Sequence, residues 1–305
     1  MPMTPPDDFA PDVGVAQTLE PGLRRLVAPN PSPMTYRGTN TYLVGTRGIA
    51  VVDPGPDDPV HLNAILAALT PGQEITHIIV THTHVDHSPL AHPLALRCGA
   101  PVLAFGNATA GRSAVMQSLA DEGLVGGGEG IDQGFEPHET LPDGAVVNGD
   151  DWRLEAIHTP GHIGNHLCLA WGDACLTADH VMGWASSLVS PPDGDLTDFM
   201  TSCARLQRRD WRVFYPGHGA AIEAPAARLD WLVQHRLTRE AAILDALTQG
   251  PADAATLARK IYTDTPSALL GAATRNVLAH LVDLAGKSRV APKGRLSAAA
   301  EFHRA

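Results

Sequence analysis

Between Thr81 and Leu90 the chain reads THTHVDHSPL, which sets His82, His84, Asp86 and His87 within six positions, directly after the apolar run ITHIIV. Such crowding is costly in a neutral-pH fold. Each group loses hydration if buried, and the imidazoles repel one another if they protonate. Either the four side chains face water, or a cation holds them. In an extended chain residues two apart share a face, so His82 and His84 converge if the chain stays extended past Val80. Asp86 and His87 follow where the chain is expected to turn into a helix, with Pro89 in its first turn. The motif thus divides into an imidazole pair and a carboxylate–imidazole pair. Imidazole and carboxylate suit zinc, so at the end of a strand this spacing predicts a metal site.

Three later segments supply further ligands. HTPGHIGNH places His162 in a Pro-Gly loop after a strand, CLTADH places Asp179 at a strand end, and FYPGHG places His218 in a second Pro-Gly loop. Tight turns of this kind can aim a side chain into a cleft. The four cysteines, Cys98, Cys168, Cys175 and Cys203, lack CxxC spacing and read as reduced, buried thiols of a cytoplasmic protein.

The surrounding chain alternates short β-rich runs with turns and helical segments. TNTYLVG, GIAVVDPG, ITHIIV and APVLAF read as strands of a first half, with helices over PVHLNAILAAL and NATAGRSAVMQSLADEGL. A second half follows, with strands in GAVVNGDDWRLEAIHT, HLCLAWG, ACLTAD and WRVFYPGHG and a helix after Asp195. Two β-rich halves, each with helices, predict two sheets with helices outside. From Ala224 the pattern turns helical and ends in GKSRVAPKGR, a candidate β-wing, so the expected domains are 1–223 and 224–305.

Charge divides at about the same place. From His235 onward there are ten Lys+Arg against six Asp+Glu, whereas the whole chain carries 22 against 33. An acidic body argues against broad nucleic-acid affinity, which relies on Lys and Arg, while the basic tail keeps that option open. The start, MPMTPPDDFAPDVG, has neither a cationic nor an apolar segment and reads as a frayed, soluble stretch. No run is apolar enough for a membrane span. A cytoplasmic enzyme is expected.

The ordered set Asp53, His82-x-His84-x-Asp86-His87, His162, Asp179 and His218 resembles the metallo-β-lactamase fold superfamily. NPSPMTYRGTNTYLVG, TPGHIGNH, YPGHG, HRLTREAAIL and NVLAHLVDL are similar to its lactamase-like subgroup with a C-terminal winged-helix-like domain, one branch of which includes an endoribonuclease acting on single-stranded RNA. The resemblance implies an α/β fold, an αββα sandwich followed by a small helical, winged-helix-like domain. It implies two Zn2+ per chain, with iron or manganese as alternatives: His82, His84 and His162 on one, Asp86, His87 and His218 on the other, and Asp179 shared. Asp86 would also be catalytic, orienting a metal-bridging hydroxide or taking its proton. Asp53 would orient a ligand, and His166 would take a supporting role. The expected function is hydrolysis of an ester, thioester or lactone. Cleavage of single-stranded RNA is the alternative, followed by a non-enzymatic binding module with structural metals. A homodimer is compatible with the apolar helices of the tail.

Overall fold

The computed structural model describes residues 9–127 and 130–305; the first eight residues of the acidic start and the centre of the glycine-rich loop lie outside this range. Two mixed sheets stack face to face. The first runs in the order β1 (Gln17–Glu20), β2 (Leu23–Val27), β3 (Asn40–Val44), β4 (Gly48–Val52), β5 (Glu74–Val80), β6 (Val102–Ala104) and β7 (Glu139–Thr140). The second comprises β8 (Val146–Asn148), β9 (Arg153–His158), β10 (Leu167–Trp171), β11 (Ala174–Ala178) and β12 (Val213–Pro216), again each beside the next. Alternate residues of both fill the middle layer: Leu23, Tyr42, Val44 and Val52 from one sheet meet Leu154, Leu169, Leu176 and Tyr215 from the other.

Helices cover both outer faces. α1 (Pro59–Ala67) and α2 (Ala91–Cys98) lay Ile65 and Leu94 on the first sheet. α4 (Leu196–Leu206) lays Phe199, Cys203 and Leu206 on the second. The helix expected over NATAGRSAVMQSLADEGL is shorter: α3 spans Ala114–Asp121 and is capped by Ser113. Upstream, the Asn107 side chain accepts from the Thr109 amide and hydroxyl, a local bond that competes with helix. The protein is thus an αββα sandwich, followed by α5 (Pro225–Ala246), α6 (Ala254–Ile261), α7 (Leu270–Gly286) and a hairpin. That hairpin pairs β13 (Val290–Pro292) with β14 (Phe302–Arg304), so the wing extends past GKSRVAPKGR.

Strand direction determines where the site lies. β4 and β5 are parallel, as are β11 and β12, while β9–β10 and β10–β11 are antiparallel. Asp53, the 81–87 segment, His162, Asp179 and His218 therefore all emerge along one rim of the sandwich. Cross-sheet bonds close this rim: the Leu167 amide donates to the Thr81 carbonyl at 2.8 Å and the Asn40 amide to the Gly217 carbonyl at 2.7 Å.

Candidate metal centre

Beyond β5 the chain bends at Thr81 instead of staying extended, reaches an isolated bridge between His84 and Ile131, and then turns so that the amides of His87 and Ser88 reach back to the His84 carbonyl at 3.0 and 3.1 Å. α2 begins only at Ala91, so Ser88 and Pro89 lie in this turn rather than in the helix. The turn carries His87 away from His84 and into a second donor group. His82, His84 and His162 bring donor atoms within 4.8 Å of one another, and Asp86, His87 and His218 do the same. All six are buried, and Asp179 lies between the groups. Its Oδ2 is 3.7 Å from His162 Nε2 and 3.3 Å from His218 Nε2, and its Oδ1 is 3.5 Å from His87 Nε2.

Bonds behind the rings decide which nitrogen faces inward. His162 Nδ1 donates to the Leu188 carbonyl at 2.7 Å and His218 Nδ1 to that of Gly38 at 3.2 Å. His87 Nδ1 donates to Asp53 at 2.9 Å. The Thr81 hydroxyl donates to Asp53 at 2.7 Å and accepts from His82 Nδ1 at 3.0 Å. Each of these four rings is thereby held in the tautomer that leaves Nε2 facing the centre. The Asp53 carboxylate also accepts from the Thr81 amide at 2.8 Å, so its oxygens are engaged behind the site. Asp53, His82 and His87 also cluster, but the Asp53 oxygens already accept from Thr81 and His87.

Three observations fit these residues to metal. His82 Nε2 is buried without a hydrogen-bond partner, which a fold tolerates only where something else satisfies it, and His87 Nε2 and Asp179 Oδ1 make no hydrogen bond beyond the ion-pair contacts of His87 with Asp86 at 3.2 Å and Asp179 at 3.5 Å. His162 Nε2 faces His84 Nδ1 at 3.0 Å, so two acceptors meet unless a proton or a cation sits between them. A Cβ on Gly217 would lie 2.3 Å from Asp179 Oδ1 and 2.9 Å from His87 Cε1, so the absence of a side chain there keeps that side of the carboxylate open.

Residues 34–218 match the metallo-beta-lactamase superfamily, and residues 254–297 match the beta-lactamase associated winged helix domain. The chain belongs to the metallo-beta-lactamase superfamily. Among relatives, it is 33% identical over 229 residues to the lactamase-like protein nscB of Arthroderma benhamiae, covering 74% of this chain but only 46% of that protein. A beta-lactamase-like protein 2 homolog of Caenorhabditis elegans is 27% identical over 270 residues, 86% of this chain and 83% of the relative. Among solved structures, a beta-lactamase domain protein from Burkholderia ambifaria superposes with a TM-score of 0.81 at 21% identity, covering 98% and 96% of the two chains. A metallo-beta-lactamase family protein from Thermus thermophilus gives 0.74 at 25% identity, covering 94% and 100%. The second-domain match and these full-length superpositions bring the winged-helix domain into the likeness. The buried His/Asp cluster is this member's candidate metal site.

The electrostatics of the two halves differ. Burial, then the adjacent His162, pushes His84 down to about 3, and burial likewise lowers His82 and His162. These three rings are therefore neutral, the form in which an imidazole can bind a metal. Burial also opposes charge on His87 and His218, but the carboxylates of Asp86 and Asp179 outweigh it, raising His218 to about 10 and His87 well above the usual range. The carboxylates are lowered in turn by those imidazoles, against burial. A divalent cation would replace the protons that balance this second half.

Sequence reasoning missed the supports behind Asp86, His162 and His218. The Thr39 hydroxyl donates to Asp86 at 3.0 Å, and the acceptors behind His162 and His218 are main-chain carbonyls of Leu188 and Gly38. A backbone carbonyl has no residue-type signal, whereas Thr39 sits in the quoted GTNTYLVG. Asn40 supports the second Pro-Gly loop, its Nδ2 donating to the Pro216 and Gly219 carbonyls at 2.8 and 2.9 Å. His166 is buried behind His82, bonded to the Thr159 hydroxyl at 2.9 Å. His180 is buried against Phe199, with its Nε2 3.6 Å from Cys203 Sγ.

Proposed function

We propose that this chain is a dinuclear zinc hydrolase of a small-molecule ester, thioester or lactone. The observation that carries the hydrolase reading is the pair of three-residue donor groups sharing Asp179, with imidazoles held from behind and lone pairs inward. Two zinc ions held there would supply Lewis acidity and lower the pKa of water from about 15.7 towards about 7. His82, His84 and His162 would hold one, and Asp86, His87 and His218 the other. Asp86 accepts from Thr39 and stays ionised beside His87 and His218, so it is the carboxylate assigned to orient the nucleophile and take its proton. No side-chain nucleophile is required.

Cavity chemistry supports an acyl substrate. A cavity of about 500 Å3 is lined by Tyr36, Trp184, Trp231 and Tyr262, and a neighbouring one of about 210 Å3 by Met34, Met182 and Leu188. Leu188, whose carbonyl holds His162, lines the smaller cavity, while the seven donor residues themselves line neither. Arg239, the arginine of the larger cavity, is already bonded to the Ile261 carbonyl and stacked on Tyr262, and Asp264 lines the same cavity. A nucleic-acid backbone calls for free cations, whereas this lining suits an apolar acyl or alkyl group.

The test is turnover of a panel of esters, thioesters and lactones alongside single-stranded RNA, by parent protein and by Asp86→Ala. Acyl hydrolysis that falls by roughly a thousandfold or more in the variant is expected. RNA cleavage that vanishes in the variant, with no acyl turnover, would select the endonuclease instead. Metal analysis of protein purified without added metal tests zinc against iron and manganese.

A further inference from the structure

We propose that Arg236 on α5 and Asn276 on α7 are positioning residues for the metal centre, acting through the segment 187–189. The proposal rests on the reading of His162 and Asp179 as ligands. His162 takes its orientation from the Leu188 carbonyl at 2.7 Å. Both neighbours of Leu188 are held by the C-terminal helices. Arg236 Nη2 donates to the Ser187 carbonyl, and the Val189 amide donates to Asn276 Oδ1 at 3.1 Å. Arg236 Nη1 donates to the same Asn276 Oδ1 at 2.9 Å, joining the two into one clamp. The Ser187 hydroxyl lies 2.5 Å from the Asp179 carbonyl and 2.9 Å from that of His180, so the clamped segment also touches the backbone of the shared carboxylate.

The chemistry of Arg236 makes this more than ordinary packing. It is 2% exposed, and among the described residues no carboxylate pairs with it. Its charge is stabilised by the Ser187 carbonyl, the Asn276 amide oxygen and the face of Phe199, with the guanidinium 5.0 Å from the ring. Burying an arginine without a counter-ion is costly, and an apolar residue would fill the same space more cheaply. What an apolar residue lacks is the pair of directed donors that grips both Ser187 and Asn276. A metal ligand held by a loop is only as well aimed as that loop, and loss of such outer supports typically weakens metal binding by about 10–100-fold.

The experiment measures metal affinity of the full-length protein by competition with a chromophoric chelator, and the visible spectrum of its cobalt-substituted form. Asn276→Ala and Arg236→Lys are each expected to weaken affinity at one site roughly tenfold or more and to shift the cobalt bands. Asn276→Asp keeps an oxygen acceptor for both donors and should restore affinity, which keeps the proposal falsifiable even if Arg236→Lys does not fold. Leu281→Ala, deep in the C-terminal core but away from the segment, should lower thermal stability and leave affinity unchanged. Parent-like affinity and spectra in Asn276→Ala, or an equal loss in Leu281→Ala, would overturn the proposal. His162→Ala separates the two layers: if it keeps full metal stoichiometry, the ligand assignment itself fails.

Discussion

Asp53 offers acceptors to three donors, the Thr81 amide, the Thr81 hydroxyl and His87 Nδ1, at 2.8, 2.7 and 2.9 Å. Replacing it with Asn puts an NH2 group where one of those donors points, leaving a buried N–H against an N–H. The Asp53→Asn protein should fold, bind metal about 10–100-fold more weakly in a chelator competition, and lose activity in proportion. Unchanged affinity would mean that His87 is aimed by packing alone. Gly217→Ala tests the same half-site from the opposite side. Its methyl would sit 2.3 Å from Asp179 Oδ1, so the carboxylate must move, and metal stoichiometry is expected to drop. His61 lies outside the ligand set and gives a pH signature. Burial lowers its pKa to about 4, against the pull of Asp58, while its Nε2 bonds to the Thr41 hydroxyl at 2.8 Å. A lowered histidine favours the fold above its unfolded pKa near 6.5, and that contribution drains away as pH falls from there towards about 4. The slope is about 1.4 kcal/mol per pH unit. His61→Gln keeps a hydrogen-bonding side chain without a titration, so its thermal midpoint should fall less than the parent's between about pH 6.5 and 4. Parallel curves would assign the acid sensitivity elsewhere.

At the scale of elements, what the sequence displays is side-chain chemistry at strand ends. Asp53, Asp179 and the HxHxDH run each follow an apolar run that became a strand, so their convergence needed only the parallel pairing of β4 with β5 and of β11 with β12. Less visible were features carried by backbone and by competition between local bonds. The late start of α2 after Pro89 follows from the His84 carbonyl accepting two amides, and the shortened α3 from Asn107 capturing its own turn. The loop 159–166 shows how an element boundary acts on the site. Gly161 has φ +140, and a Cβ there would meet the Phe199 Cα at 2.3 Å and its backbone nitrogen at 2.5 Å. The obstruction is main chain inside α4, which begins at a well-bonded cap: Asp195 accepts from the Thr197 amide at 2.8 Å and from the Ser113 hydroxyl at 2.7 Å. Gly161→Ala must therefore move either the helix or the loop carrying His162. Lower thermal stability and weaker metal binding together are expected; parent values for both would show that the loop has slack.

For the whole molecule, the shift from acidic to basic composition marks where the helical tail begins, but composition says nothing about what that tail covers. In the fold α5 and α7 pack Leu229, Leu232 and Ala279 against Phe199, Cys203 and Leu206 of α4. α3 buries Met116 and Leu119 in the cluster formed by Ile243, Leu278 and Leu281. Arg228 reaches back to the Met182 and Ala185 carbonyls, both at 2.6 Å. The hydrophobic layer outside the second sheet is thus shared between the sandwich and the helices that follow it. A chain ended after Ala224 would leave that layer facing water and the Met182 and Ala185 carbonyls without their guanidinium. Shared apolar layers of this kind make separate folding of one side unfavourable. The truncated chain is expected to be aggregation-prone, to bind a hydrophobic dye, and to unfold well below the parent on heating. Adding the 225–305 segment back as a separate chain should recover little, because the helices must dock as the sandwich closes. A soluble monomer with a cooperative transition and parent metal affinity would show instead that the sandwich is self-sufficient and that its helical tail is an attachment.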